Sequence, residues 1–262
     1  MKSKITLKSI INDKVSGSSE ILEKLNNYLL RNSDNIPKLK NDLDKIKEEI
    51  TGFAAINNYI HNIDSIIKNG NKKKLKDHLK SFRRSKSDAY YTIYNNAGSF
   101  LSKFNTILTL SNSKTLLEVF KIWSKTNKRL RIIVCESRPK NEGIILAKAL
   151  AKGNIRVNLI TDASMSNYIA KADAVIIGAD MILKNGNIVN KTGSRNAAIM
   201  CRYFKKPFIV LATKNKFTNK KTYRPVAENS REIVNKSPEN IKVYNYYFEE
   251  IEKSLITKII TD

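Results

Sequence analysis

The chain has 262 residues, 41% of them hydrophobic, enough for one large domain or two smaller ones around a sizeable core. No apolar run approaches the ~20 residues of a membrane span and no apolar leader opens the sequence, so a cytoplasmic protein with no membrane association is expected. Two cysteines and two histidines argue against a disulfide framework or a zinc cluster, while a formal net charge of +24 favours acidic partners or nucleic acid. Lysine and asparagine are nevertheless abundant everywhere, as a general compositional bias would make them.

Residues 1–104 read as a helical domain. Gly17-Ser-Ser19 precedes the apolar stripe Ile21, Leu22, Leu25, Tyr28 and Leu29, with serine as its N-cap. Pro37 opens a second helix, at a position where its missing N–H costs nothing, and Asn69-Gly70 is the stop that would end it. A third helix over about 73–104 carries the densest basic cluster: Lys72, Lys73, Lys74, Lys76, Lys80, Arg83, Arg84 and Lys86. Weak nucleic-acid binding is the functional reading of that cluster, and a solvated helix face is the bland one. Tyr90, Tyr91, Ile93 and Tyr94 follow and suit core packing better than base stacking, which normally uses a sheet or an exposed groove.

From residue 105 to 262 the pattern becomes α/β, a Rossmann-like parallel sheet domain. Ile107–Leu110, Arg131–Cys135, Ile155–Ile160, Ala174–Ile177 and Phe208–Leu211 are short apolar runs rich in β-branched residues, as in strands buried on both faces. Helical periods separate them, such as Leu116, Leu117, Val119, Phe120 and Trp123, or Ile144, Leu146, Ala147 and Leu150. Strands alternating with helices imply right-handed βαβ crossovers, and ligands on such sheets bind beyond the carboxyl ends of the strands. Glu136-Ser-Arg-Pro139, Thr161-Asp162, Gly178-Ala-Asp180 and Thr213-Lys214 fall there. The chain is irregular over 214–240, and 246–260 is expected to pack back on the sheet.

The candidate site residues follow from that edge. Asp180 ends an apolar strand, where partial desolvation would raise its pKa into a range useful for acid/base work; the alternative is a purely structural carboxylate. Asn185-Gly186 is a hairpin signal. Next, Asn190-Lys-Thr-Gly-Ser194 opens a helix whose free N–H groups and positive dipole end would suit a phosphate, with Lys191 adding a full charge. Arg138 and Lys214 would converge on the same edge. The Rossmann Gly-x-Gly-x-x-Gly and Walker A patterns are both missing, so no dinucleotide, ATP or other cofactor is expected, and no metal.

Glu136-Ser-Arg-Pro-Lys-Asn-Glu-Gly143, Ile177-Gly-Ala-Asp180, Asn185-Gly186, Asn190-Lys-Thr-Gly-Ser194 and the closing Ile-Thr-Lys-Ile-Ile-Thr261 resemble the initiation factor 2B alpha/beta/delta family. That family also holds methylthioribose-1-phosphate and ribose-1,5-bisphosphate isomerases. The resemblance runs from about Ile107 to the C-terminus and more loosely to Gly17-Ser18-Ser19, where the isomerases have a glycine-containing phosphate-binding segment. It implies a helical domain joined to a Rossmann-like domain, usually a homodimer, with Gly17 and Ser18 among the ligand contacts. The isomerases pair the aspartate at Asp180 with a cysteine in a Thr-His-Cys-like segment. Here the cysteine position is Ser111 and the histidine position Leu110. A thiol with a pKa near ~8.5 exchanges protons at neutral pH, whereas an unassisted hydroxyl does not. The resemblance therefore implies a binder of a sugar phosphate or nucleoside monophosphate without efficient isomerase chemistry. An aldose–ketose isomerase using Asp180 with Ser111 or Cys135 is the rival, and an RNA or translation-machinery binder the third reading.

Overall fold

The structure, a computed structural model, describes residues 5–13, 16–50 and 53–262. Helices come first: α1 (Leu7–Ile11), α2 (Ser18–Arg31), α3 (Ile36–Glu49), α4 (Ala54–Lys68) and α5 (Lys72–Leu101). The apolar stripe of α2 is buried throughout, and with Leu39, Leu43 and Ile46 of α3 and Ile56, Ile60 and Ile63 of α4 it forms one core. Each such side chain contributes about 1.5–3 kcal/mol by leaving water. The single helix expected from Pro37 to Asn69 is two, α3 and α4. Thr51 and Gly52 lie outside the described residues, but Ile50 and Phe53 on either side have non-helical ψ values near 85° and 104°. The periodic pattern on both sides had hidden the separation of α3 from α4. The five-residue α1, capped by Thr6, is too short to leave a periodic trace.

Beyond α5 the chain alternates as expected: β1 (Thr106–Leu110), α6 (Lys114–Thr126), β2 (Arg131–Cys135), α7 (Glu142–Lys152), β3 (Arg156–Ile160), α8 (Met165–Ile169) and β4 (Ala174–Ile177). A hairpin of β5 (Met181–Ile182) and β6 (Ile188–Lys191) follows, then α9 (Ser194–Tyr203), β7 (Phe208–Leu211), β8 (Phe248–Ile251) and β9 (Lys258–Ile260). Among the described residues six strands form one parallel sheet in the order β3-β2-β1-β4-β7-β9. Side chains alternate between its faces. Ile107, Ile132, Val134, Ile176 and Ile209 meet α6, α7 and the C-terminal half of α5. Leu108, Ile133, Val175, Ile177 and Val210 meet α8 and α9 on the other side. Helix α5 thus joins both parts, giving Leu75 and Leu79 to the helical core and Ile93, Ala97 and Leu101 to the sheet.

Strand order reverses between β1 and β4. Loops leaving these two strands at their carboxyl ends diverge and open a crevice, the usual ligand position on such sheets. The hairpin carries a turn at Asn185-Gly186, with Gly186 at a φ of +86° that glycine adopts without strain. Its strand β6 also pairs with β8, making a small antiparallel sheet, β5-β6-β8, that flanks the crevice. The pattern of Phe248–Ile251 carries no alternation that would announce a strand.

The start of α7 is fixed against the end of β2. A Cβ on Gly143 would lie 1.8 Å from the Cys135 carbonyl oxygen, and backbone on both sides cannot yield as a flexible side chain would. Gly143→Ala should therefore destabilise the protein by about 2–3 kcal/mol, the upper part of the usual overpacking range. Thermal unfolding followed by circular dichroism should show Tm lower by roughly 5–10 °C.

Candidate functional site

A cavity of about 260 Å³ lies where the crevice meets the helical part. Its floor is the loop after β1, Leu110 to Thr115, and the loop after β4, Gly178 to Asp180. Its roof is Ser16 to Ser19 at the start of α2, with Ile50 and Phe53, and one wall comes from Tyr223, Val226, Tyr247 and Phe248. The parts fit closely. A Cβ on Gly178 would lie 2.7 Å from Ser113 Oγ, and one on Gly17 would lie 2.9 Å from the Asn112 carbonyl oxygen.

Asp180, Ser18 and Lys216 meet inside. Ser18 Oγ donates to Asp180 Oδ1 at 3.3 Å, Lys216 Nζ donates to Ser18 Oγ, and Lys216 Nζ lies 3.7 Å from Asp180 Oδ1. Lys216 is 4% exposed and Ser18 3%. Burial raises the Asp180 carboxyl above the ordinary range, and the neighbouring Lys216 ammonium pulls the other way. Burial likewise lowers the Lys216 amine, opposed by the Asp180 charge. Lysine 216 replaces the expected Lys214. The 3-10 turn Lys214–Lys216 after β7 sends Lys214 to solvent, where its backbone N–H binds Asp262 Oδ1 at 2.7 Å, and turns Lys216 inward. The two lysines are equivalent in sequence, and only the turn separates them. Helix α4 holds that turn through Asn58 Nδ2, which donates to the carbonyls of Asn215 and Phe217.

Gly17, Ser18, Ser111, Asn190 and Asp180 all line the cavity, while Arg138, Lys191, Gly193, Ser194 and Lys214 do not. Arg138 is exposed, and its loop supports the floor by another route. The Asp162 carboxylate accepts the N–H groups of Ser137 at 2.9 Å and Arg138 at 2.7 Å. Ser137 Oγ in turn accepts the Ser111 N–H at 2.7 Å. This chain of contacts holds Ser111 in the left-handed region, at a φ of 65°.

The N-terminus of α9 corrects a second expectation. Its N–H groups are not free: Glu249 Oε1 accepts Gly193 N at 2.7 Å and Arg195 N at 2.9 Å. Nor is Lys191 free. It is 1% exposed, lies 2.8 Å from Glu142 Oε1, and stands 4.7 Å from the centroid of the Tyr247 ring. Asn190 Nδ2 donates to Ser194 Oγ at 2.9 Å. Glu142 falls within the Glu136–Gly143 motif and Glu249 on an unpatterned segment, but nothing in the spacing of either shows which donor the carboxylate meets. Helix α2 differs. Gly17 at its N-cap offers no side-chain cap, and the first N–H groups of a helix have no partner within it.

Neither histidine lines the cavity. Cys135 is fully buried in the core below the loops, and burial pushes its thiol up to about 12, so it cannot stand in for a reactive thiol beside Ser111. No group of three potential metal ligands occurs among the described residues, and none of their helices is long and apolar enough to cross a membrane. The basic cluster on α5 is divided. Lys72, Lys73, Lys74, Lys80, Arg83 and Arg84 are exposed, and Lys76 pairs with Asp34. Lys86, however, turns inward and donates to the Ser19 carbonyl at 2.9 Å, with burial lowering its amine to about 8.

Removing one member of the Asp180–Lys216 pair strands the other. Asp180→Asn should cost about 3–5 kcal/mol, as expected for breaking a buried pair, and adding Lys216→Met should recover most of it. Without the carboxylate, the buried amine holds fewer protons than in the unfolded chain, so the stability of Asp180→Asn rises with pH. The gap between single and paired variants in urea unfolding should narrow from pH 7 to pH 9.

The profile of the initiation factor 2 subunit family matches residues 6–262. A protein named translation initiation factor eIF-2B subunit 2-like, from Pyrococcus furiosus, is 29% identical over 259 residues, covering 98% of this chain and 93% of that one. A ribose 1,5-bisphosphate isomerase from Archaeoglobus fulgidus is 34% identical over 163 residues, covering 60% of this chain and 52% of that protein. Among solved structures, a translation initiation factor eIF-2B from Pyrococcus horikoshii superposes with a TM-score of 0.83 at 24% identity, covering 97% of this chain and 93% of that one.

Proposed function

The chain belongs to the initiation factor 2 subunit family, and on that premise we propose that its cavity binds a sugar phosphate or a nucleoside monophosphate without efficient isomerase turnover. The observation that carries this reading is the uncapped start of α2 beside buried Lys216 at the switch point of the sheet. The N–H groups of Glu20 and Ile21 donate to the Gly17 carbonyl, but those of Ser18 and Ser19 have no partner among the described residues. With the helix dipole they favour an anion there, commonly by ~0.3–1 kcal/mol when exposed and up to ~2 when partly buried. Lys216 adds a charge-assisted donor. Asp180, an acceptor on the same cavity, suits ligand hydroxyls. A volume of about 260 Å³ is at the small end for ligand pockets and fits a small polar metabolite.

Ser111 speaks against catalysis. Its hydroxyl lines the cavity with no histidine or reactive thiol among the cavity residues to activate it, and general acid–base work needs such a partner within hydrogen-bond reach. The Asp180 carboxyl, raised above its ordinary range by burial, is the one feature that favours an isomerase, since such carboxyls recur among catalytic acids and bases. A second copy of the chain is the proposed partner. Val226, Ile233, Val234, Ile241 and Tyr244 are exposed on the long segment between β7 and β8, as an interface between Rossmann-like domains would leave them in a single chain.

Titration calorimetry with ribose 5-phosphate and with AMP should detect binding. Lys216→Ala should weaken it by about tenfold or more, on the scale of 1.4 kcal/mol per decade. Purified protein should show no interconversion of ribose 1,5-bisphosphate or methylthioribose 1-phosphate near the typical ~10 per second. Turnover within a factor of about ten of that rate, abolished by Asp180→Asn, would establish the isomerase instead.

A further inference from the structure

Glu142 lines the cavity while the lysine it holds does not. Its Oε1 lies 2.8 Å from Lys191 Nζ, where both side chains are withdrawn from solvent. Tyr247 closes the other side of the ammonium with its ring, and the Tyr247 hydroxyl donates to Glu232, itself paired with Lys140. The position of Glu142 is set by backbone. Gly143 donates its N–H to the Glu136 carbonyl at 3.0 Å and presses against the end of β2, so the first turn of α7 cannot slide away from the cavity.

A phosphate approaching Lys191 would have to displace this carboxylate, and the neighbouring α9 N-terminus is already filled by Glu249. Resting on the reading above and deepening it, we propose that Glu142 is a specificity-determining residue: a built-in carboxylate that occupies the anion position at Lys191 and restricts the cavity to ligands bearing a single phosphate, seated at the start of α2. The charge on the cavity wall supports this. Asp13, Glu49, Glu142, Asp180 and Glu228 line it against Lys114 and Lys216. A phosphate monoester brings about −1.5 to −2 charges at neutral pH. One such group can use Lys216 and the α2 N–H groups; a second would face carboxylates. The other oxygen of Glu142, Oε2, is buried without a hydrogen-bond partner among the described residues. It is an unused acceptor, of the kind that a hydroxyl donor satisfies.

The test is calorimetric titration of the whole chain with ribose 5-phosphate, AMP and ribose 1,5-bisphosphate, in the wild type, in Glu142→Gln and in Glu142→Gln/Lys191→Met. The wild type should bind the monophosphates about tenfold or more tighter than the bisphosphate. Glu142→Gln keeps the shape, removes the charge and frees Lys191; it should narrow that ratio by about tenfold through tighter bisphosphate binding. The paired variant leaves no buried charge alone and should hold the monophosphates within about threefold of wild type. A wild type that prefers the bisphosphate, or a ratio unchanged in Glu142→Gln while monophosphates still bind, overturns the role of Glu142 and leaves the cavity's function standing. Should Glu142→Gln fail to fold, the paired variant decides, because loss of monophosphate binding there would put the phosphate on Lys191. Binding of none of the three by wild type would overturn the reading of the cavity and this inference with it.

Discussion

The contact of Ser18 with Asp180 and Lys216 is the constraint around which the molecule is arranged. Its three members come from the first turn of α2, the end of β4 and the turn after β7, which the chain separates by up to 198 positions. Two opposite charges removed from water are costly unless they are paired and hydrogen-bonded. The serine hydroxyl meets that condition by accepting from the lysine and donating to the aspartate. Satisfying this pair requires the helical part to sit over the switch point of the sheet, and that placement roofs the crevice and makes it a cavity. The groups that seat the helices are also groups that line the cavity.

Around this centre three carboxylates meet donors of the strand-end loops from within. Asp162 caps the backbone after β2, Glu249 the start of α9, and Glu142 the ammonium of Lys191. The donors range from the exposed N–H groups of Arg138 and Arg195 to the buried ammonium of Lys191, and leaving a buried one unsatisfied commonly costs about 1–3 kcal/mol. The start of α2 is treated differently, with a glycine at the N-cap that brings no capping side chain and lies where a Cβ would press on the Asn112 carbonyl oxygen. A helix end left open at a cavity, beside a buried lysine, is the chemical asymmetry that gives the site a direction.

That asymmetry also bears on the difference between binding and turnover. Binding an anion needs fixed donors, and close packing at Gly17 and Gly178 fixes the loops around the cavity. Proton transfer needs two groups with matched pKa values. Asp180 is one titratable group of the cavity, but among the described residues no histidine or cysteine lines it beside Ser111, and Cys135 is sealed in the core with its thiol pushed up to about 12. The chain belongs to a family matched over residues 6–262, has a ribose 1,5-bisphosphate isomerase among its relatives, and carries in its cavity a buried carboxylate paired with a lysine.

The sequence by itself determined the repeating parts. Apolar runs with β-branched residues, helical periods between them and the Asn185-Gly186 turn report on local backbone preference and on burial, which act over a few residues at a time. Hence the parallel strands, the helical N-terminal part and the position of Asp180 at a strand end could be read directly, whereas Ser111, Gly17 and Ser18 entered the site only through the family resemblance. Tertiary structure decided which charges are available. Lys214 and Lys216 differ only by a turn. Lys191 and the α9 N-terminus looked free until Glu142 and Glu249, 49 and 56 residues away, came to rest on them. Lys86 belonged to an exposed cluster until α5 packed it against Ser19. Electrostatic availability depends on distance and solvent exposure in space, and a linear pattern does not contain either.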